Sequence, residues 1–378
     1  MSFKPGIMRT KWRLALLAAL ASLFLVATSA RIAQAQILNE PPPPPPKPKP
    51  KPQPTPKDED YEVMRVTSNL VVVPVSVTDT AGQSVLGLKL QDFHLEEEGR
   101  AQDIAQMGDP EQVPLDIAIL LDVSGSVNAR FDFEKEAAAR FLKQVLKSED
   151  RASVFAIDQT PRLEQARDTS ERAAARLLAI PSTKGATAFY DSVTMAAKYL
   201  AQNTPPQRRR VIVVISDGED NFSNRTRDIE LATYRALQSS NGPLNEQTKE
   251  QLVKQRDNIQ RQALLEVQTE LQRAEVVFYS INPSGDSLHL NIPGVRAQAG
   301  MAQLAESTGG NSFVPDKLEN LDAVFHQISA ELRSQYLLQY YSNNEAPSNK
   351  FLRIKVTVPT QPGLHVRARE GYYPKGKR

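Results

Sequence analysis

Ile117-Ala118-Ile119-Leu120-Leu121-Asp122-Val123-Ser124-Gly125-Ser126 decides how this chain is read. Five apolar residues without a charge or a breaker predict a strand buried on both faces. Asp122, Ser124 and Ser126 then present a carboxylate and two hydroxyls at alternate positions, where the backbone leaves the sheet. In an open parallel sheet that point is where ligands bind. Oxygen donors without His or Cys suit a hard divalent cation rather than zinc or copper.

Outward from this stretch, residues 114–334 alternate short apolar strands with amphipathic helices. Strands are expected at 115–121, 151–157, 211–216, 275–281 and 311–314, with a weaker one near 161–165. Helices are expected at 131–147, 170–179, 188–202, 299–308 and 320–334. Phe133, Ala137, Phe141 and Val145 repeat at four in the first helix, and Glu134, Lys135, Arg140 and Lys143 read as its solvated face. The rhythm predicts an α/β fold with a doubly wound, mostly parallel sheet and helices on both faces. About 50 residues between Asp220 and Glu275 exceed what one βα unit needs. Leu252, Ile259, Ala263, Val267 and Leu271 share one helical face there, and Asn241-Gly242-Pro243 divides the segment. A helical hairpin projecting at 225–274 follows, either as an extended solvated helix with a narrow packing stripe or as a partner-binding arm.

The flanks have a different texture. Leu70 to Asp79 is a β-branched strand ending in Thr80-Ala81-Gly82, and Val85 to Leu90 and Phe93-His94-Leu95 read as shorter strands. Tyr336 to Tyr341, Leu352 to Val358 and Val366 to Tyr373 return to that pattern. Neither flank holds enough strands for an independent sheet. Residues 60–112 and 335–378 are therefore expected to form one small β-sandwich-like module, with residues 113–334 inserted between them.

Residues 1–36 read as an export signal: Arg9, Lys11 and Arg13, then an apolar run, then Ala33-Gln34-Ala35 as a cleavage site. The alternative is an uncleaved anchor, since Leu14 to Ala30 is 17 residues, the lower limit for spanning a bilayer. Either way the remainder is expected outside the cytoplasm, in the periplasm or at the cell surface. Residues 41–56 hold 11 of the 27 prolines, so the linker at 37–59 should be polyproline II, about 50 Å of semi-rigid stalk. Cysteine is absent, which excludes disulfides, thiolate metal sites and a Cys nucleophile. A net charge of +2 without a basic, aromatic-laced stripe makes no case for nucleic acid.

More donors converge on Asp122. Thr187, after Lys184-Gly185-Ala186, places a hydroxyl just before a helix. Val211 to Ile215 is a second fully apolar strand, and it ends in Ser216-Asp217-Gly218-Glu219-Asp220. Each piece alone is a common cap or turn; the convergence at two strand ends points to a shared cation. Asp122, Ser124, Ser126, Thr187 and Asp217 resemble the metal-ion-dependent adhesion site of von Willebrand factor type A domains. The resemblance covers about residues 113–334. Pro114-Leu115-Asp116 and Gly371-Tyr372-Tyr373 are also similar to a group of exported bacterial proteins containing this domain. The resemblance implies that the serines coordinate directly, the threonine does so with ligand bound, and the aspartates act through water. Ser216 stands where that family commonly has Thr.

Two carboxylates and three hydroxyls are too few for a closed calcium cage, so Mg²⁺ is expected before Mn²⁺ or Ca²⁺. A cation with mostly neutral ligands stays electrophilic, and a partner's Glu or Asp can complete its shell. The expectation is a non-enzymatic adhesion or assembly module. The rival is an Mg²⁺-dependent phosphotransferase of haloacid-dehalogenase type with Asp122 as nucleophile and Lys184 steadying the phosphate. That chemistry wants a second Asp two residues on, where Ser124 stands.

Overall fold

The computed structural model describes residues 70–124, 129–183, 185–238, 245–285, 292–344 and 349–374. The expectations for residues 1–36 and 37–59, and for Ser126, Lys184 and Asn241-Gly242-Pro243, lie outside the described residues. The first strands are β1 (Leu70–Thr78), β2 (His94–Glu97), β3 (Arg100–Gln102) and β4 (Ile104–Gly108). Next come β5 (Leu115–Asp122), α1 (Ala129–Val145), β6 (Arg151–Ile157), β7 (Arg162–Asp168), α2 (Ser170–Leu178) and α3 (Phe189–Asn203). They are followed by β8 (Arg209–Ile215), α4 (Arg227–Gln238), α5 (Glu246–Arg273), β9 (Val276–Ile281), α6 (Ile292–Thr308), β10 (Ser312–Phe313) and α7 (Leu321–Ser334). Then come β11 (Tyr336–Tyr341), β12 (Leu352–Thr357), β13 (His365–Ala368) and β14 (Gly371–Tyr372).

The apolar strands cannot face water on either side, and the observed sheet satisfies them on both. Its order is β10-β9-β8-β5-β6-β7, parallel throughout except for the antiparallel edge strand β7. Alternation along β5 splits the core in two. Ile117, Ile119 and Leu121 pack with Ala137 and Phe141 of α1, Ala173 and Leu177 of α2 and Phe325 and Ile328 of α7. Ala118 and Leu120 pack with Val193 and Ala197 of α3, Val267 and Leu271 of α5 and Met301 and Leu304 of α6. Phe141 and Phe325 stack at 4.8 Å between centroids. Each such side chain contributes roughly 1.5–3 kcal/mol by leaving water. The fold is thus the α/β arrangement expected from the apolar periodicity.

Two local expectations are corrected. Glu134 is not on a solvated face; it is 7% exposed, paired with Arg130 and near enough to Asp122 and Asp217 to feel their charges. Val85 to Leu90 is not a strand: only Thr78 and Ser84 bridge, and residues 90–92 form a 3₁₀ turn. The helical insertion follows the alternative of a narrow packing stripe. Asn245 caps α5 by accepting from the Thr248 amide at 2.8 Å. The second half of α5 then buries Ala263, Val267 and Leu271 against the sheet.

The flanking strands form two antiparallel sheets, β13-β1-β11-β4 and β14-β12-β2-β3, each mixing strands from both flanks. Val73 and Val75 of β1, Leu338 and Tyr340 of β11, Leu95 of β2 and Ile354 of β12 share their core. Glu97 is buried within it and accepts from Tyr340, Ser342 and Tyr372 hydroxyls at 2.6, 2.8 and 3.0 Å. Three donors of this kind are what a buried carboxylate requires. This sandwich meets the α/β domain through the ion pair of Glu331 and Arg367 at 2.6 Å. It also meets it at Gly309, which has φ +81°. A Cβ there would lie 2.8 Å from the Ala368 carbonyl carbon.

Candidate metal centre

β5 and β8 are adjacent and parallel, pairing Leu121 with Ile215. The register brings the residues that follow, Asp122 and Ser216, side by side. The Ser216 hydroxyl donates to Asp122 Oδ2 at 2.6 Å. Asp122 Oδ1 accepts from the Ser124 amide at 3.0 Å and the Ser124 hydroxyl at 2.6 Å. Thr187, from the loop before α3, donates its hydroxyl to Ser124 Oγ at 2.8 Å. Asp122, Ser124 and Thr187 are thus one hydrogen-bonded chain of oxygens. Asp217 follows Ser216 directly, and its charge is close enough to act on Asp122. Ser126 lies outside the described residues.

Each donor is held from behind. Asn221 Oδ1 accepts from the Thr187 amide at 2.8 Å, while the Thr187 carbonyl accepts from the Asn221 and Phe222 amides at 3.0 and 3.1 Å. Asp217 Oδ1 accepts from the Glu219 amide at 3.0 Å, and the Ser216 hydroxyl accepts from the Gly218 amide at 3.0 Å. Gly218 has φ +77°, and a Cβ there would sit 2.8 Å from Met301. Only glycine allows that turn without strain.

Burial and mutual repulsion dominate the electrostatics of these carboxylates. Burial pushes Asp122 above its usual value, against hydrogen bonds from Ser124 and Ser216, and Asp217 adds to the rise. Burial likewise pushes Glu134 up to about 7; Arg130, which donates at 3.1 Å, opposes this, and the charges of Asp122 and Asp217 reinforce it. Glu219 is raised by burial and by Asp217. A cation placed among these carboxylates would relieve all of them at once.

Among the described residues no group of three or more His, Cys, Asp or Glu side chains could hold a metal by itself. A cation here would depend on the hydroxyls of Ser124 and Thr187, the two aspartates and retained water. That donor set fits Mg²⁺, which keeps several waters. Sequence reasoning missed Glu134 and Asn221. A lone glutamate in a helix gives no sign of which loop its turn will face, and Asn221 was legible only as a polar residue after a strand end. Beside Gly218, Glu219 and Asn221 a groove of about 500 Å³ opens between α5 and α6, with Arg256, Arg261 and Arg296 along it.

Residues 117–219 match the family model described as von Willebrand factor type A domain. No curated protein matches the chain. Among solved structures, a point mutant of the PilB minor pilin from Streptococcus sanguinis is similar at 12% identity and TM-score 0.43, covering 70% of this chain and 79% of that one. The vWF domain of the type V pili tip protein Mfa5 from Porphyromonas gingivalis is similar at 15% identity and TM-score 0.37, covering 57% and 94%. An aerotolerance-related membrane protein from Bacteroides fragilis is similar at 15% identity and TM-score 0.35, covering 58% and 98%. No described helix is long and apolar enough to cross a membrane.

Proposed function

Since residues 117–219 match the model of the von Willebrand factor type A domain, we propose that this protein holds a divalent cation and uses it to dock a protein partner outside the cytoplasm. The cation is Mg²⁺ before Mn²⁺ or Ca²⁺. Its ligands are Asp122, Ser124, Ser126, Thr187 and Asp217, directly or through water. A Glu or Asp of the partner completes the coordination. The observation that carries this reading is the chain of short hydrogen bonds joining Ser216, Asp122, Ser124 and Thr187 across two strand ends.

The chemistry favours docking over turnover. The Ser124 hydroxyl is spent on Asp122 at 2.6 Å, and serine is too weak an acid to protonate a leaving group near neutral pH. Mostly neutral ligands leave the cation electrophilic, so one incoming carboxylate makes a charge-assisted, partly desolvated contact. The export signal and Pro-rich linker expected from the sequence motivate this setting, with the N-terminus as membrane or cell-wall tether.

The test is capture of cell-envelope proteins on the full chain, with Mg²⁺ or with chelator, using wild type and Thr187→Ala. A partner retained by wild type with Mg²⁺ and released in the other three conditions supports the reading. Equal retention in all four would place the binding surface elsewhere.

A further inference from the structure

At the other end of the central strands from Asp122, a cavity of about 710 Å³ lies between the sandwich and the start of β8. Leu70, Val72, Pro74 and Leu337 give it an apolar side. Arg208, Arg209, Arg210 and Arg369 also line it, and Glu275 is the single carboxylate among its lining residues. The volume is that of a small-molecule site, and about half of the residues lining it are polar or charged.

The arginines are unequally matched. Arg208 meets buried Asp116 at 2.6 Å. Arg210 and Arg369 share Glu275 at 3.8 and 3.6 Å, the outer limit of an ion pair. Arg209 is 7% exposed and has no carboxylate within ion-pair distance among the described residues. Its Nη atoms go to Leu332 and Pro110 carbonyls at 2.7 and 2.8 Å. Burial and then the like charge of Arg333 push it down to about 10. Nε of Arg209, Arg210 and Arg369 and Nε2 of Gln272 are all buried without an acceptor. Leaving a buried donor unmet is unfavourable, and more so when it is charged. Four such donors belong to residues that line this one cavity.

We propose that this cavity binds a small anionic molecule, a carboxylate or phosphate monoester with a short apolar body. The anionic group sits among Arg209, Arg210, Arg369 and Gln272, where planar guanidinium forks match an oxyanion. The apolar body lies against Leu70, Val72 and Pro74. This site is separate from the cation site and does not depend on it.

The test is arginine modification by phenylglyoxal on the full chain, followed by peptide mass spectrometry. The probes are hexanoate, hexyl phosphate, inorganic phosphate and hexanol. Hexanoate or hexyl phosphate should slow modification of Arg210 and Arg369 about tenfold, as a charge-assisted bidentate contact warrants. Exposed Arg172 should react at an unchanged rate, and whichever probe protects identifies the acidic group. Inorganic phosphate should protect less, for want of apolar contact. No slowing by either alkyl anion, or equal slowing by hexanol, would overturn the assignment. Calorimetry of the better probe on Arg369→Gln should show affinity weakened about tenfold; unchanged affinity would also overturn it. The wild-type protection result stands even if that variant fails to fold.

Discussion

Strand β5 carries an aspartate at each end, and the two have opposite surroundings. Asp116, near its start, is 1% exposed and paired with Arg167 at 2.5 Å and Arg208 at 2.6 Å. Asp122, at its end, receives only hydroxyls and an amide among the described residues, and has Asp217 for a neighbouring charge. The lower carboxylate is neutralised from within the chain. The upper one is positioned by hydroxyls and an amide and desolvated, with a second carboxylate rather than an arginine beside it. The same contrast separates structure from function in this domain: arginines lock the base of the sheet, while hydroxyls and carboxylates stay poised at its rim.

The largest effect should come from the base. Asp116→Ala leaves Arg167 and Arg208 without their buried partner and should cost about 3–5 kcal/mol, read by urea unfolding. Cation affinity of the folded protein should be unchanged. If Asp122→Ala destabilised the metal-free protein as much as Asp116→Ala does, the contrast between the two ends would fail.

The second effect is pH-dependent and belongs to the rim. Glu134 has its folded pKa raised from 4.5 to about 7. Its contribution is therefore fully present below about pH 4.5 and lost as pH rises through 7, a swing of roughly 3 kcal/mol. Glu134→Gln should flatten that part of the stability profile measured by thermal unfolding from pH 4 to 8. Saturating Mg²⁺ should flatten it too in wild type, because the cation favours the ionised carboxylate. A wild-type profile that Mg²⁺ leaves unaltered would remove Glu134 from the site.

A smaller change tests the turn that sets Asp217. Gly218→Ala forces a side chain into φ +77° beside Met301 and should cost about 1–2 kcal/mol. The cation affinity should weaken with it. Stability lost with affinity intact would mean that Asp217 does not depend on that turn. Ser124→Ala should have the smallest effect on folding, with affinity falling about tenfold by calorimetry, since Ser124 bridges Asp122 and Thr187 but packs little surface.

These residues also mark how far the sequence could be read. Ile117 to Asp122 and Val211 to Asp217 announced both strands and their carboxylates, because a charge ending an apolar run has few places to sit. Thr187 was legible as a hydroxyl before a helix. Glu134 was not: helical periodicity gives the face of a residue but not which neighbouring loop its turn meets. Strands β3 and β4 were missed, because Arg100 to Gln102 and Ile104 to Gly108 are half-exposed edges without alternation. The cavity above Arg209 was equally silent, since its walls come from strands distant in sequence.

The most direct test of the central claim is a calorimetric titration of the full chain with Mn²⁺, comparing wild type with Asp122→Ala. The account predicts one binding event in wild type, competed by Mg²⁺, and none in Asp122→Ala. Equal affinity in the two proteins would contradict it.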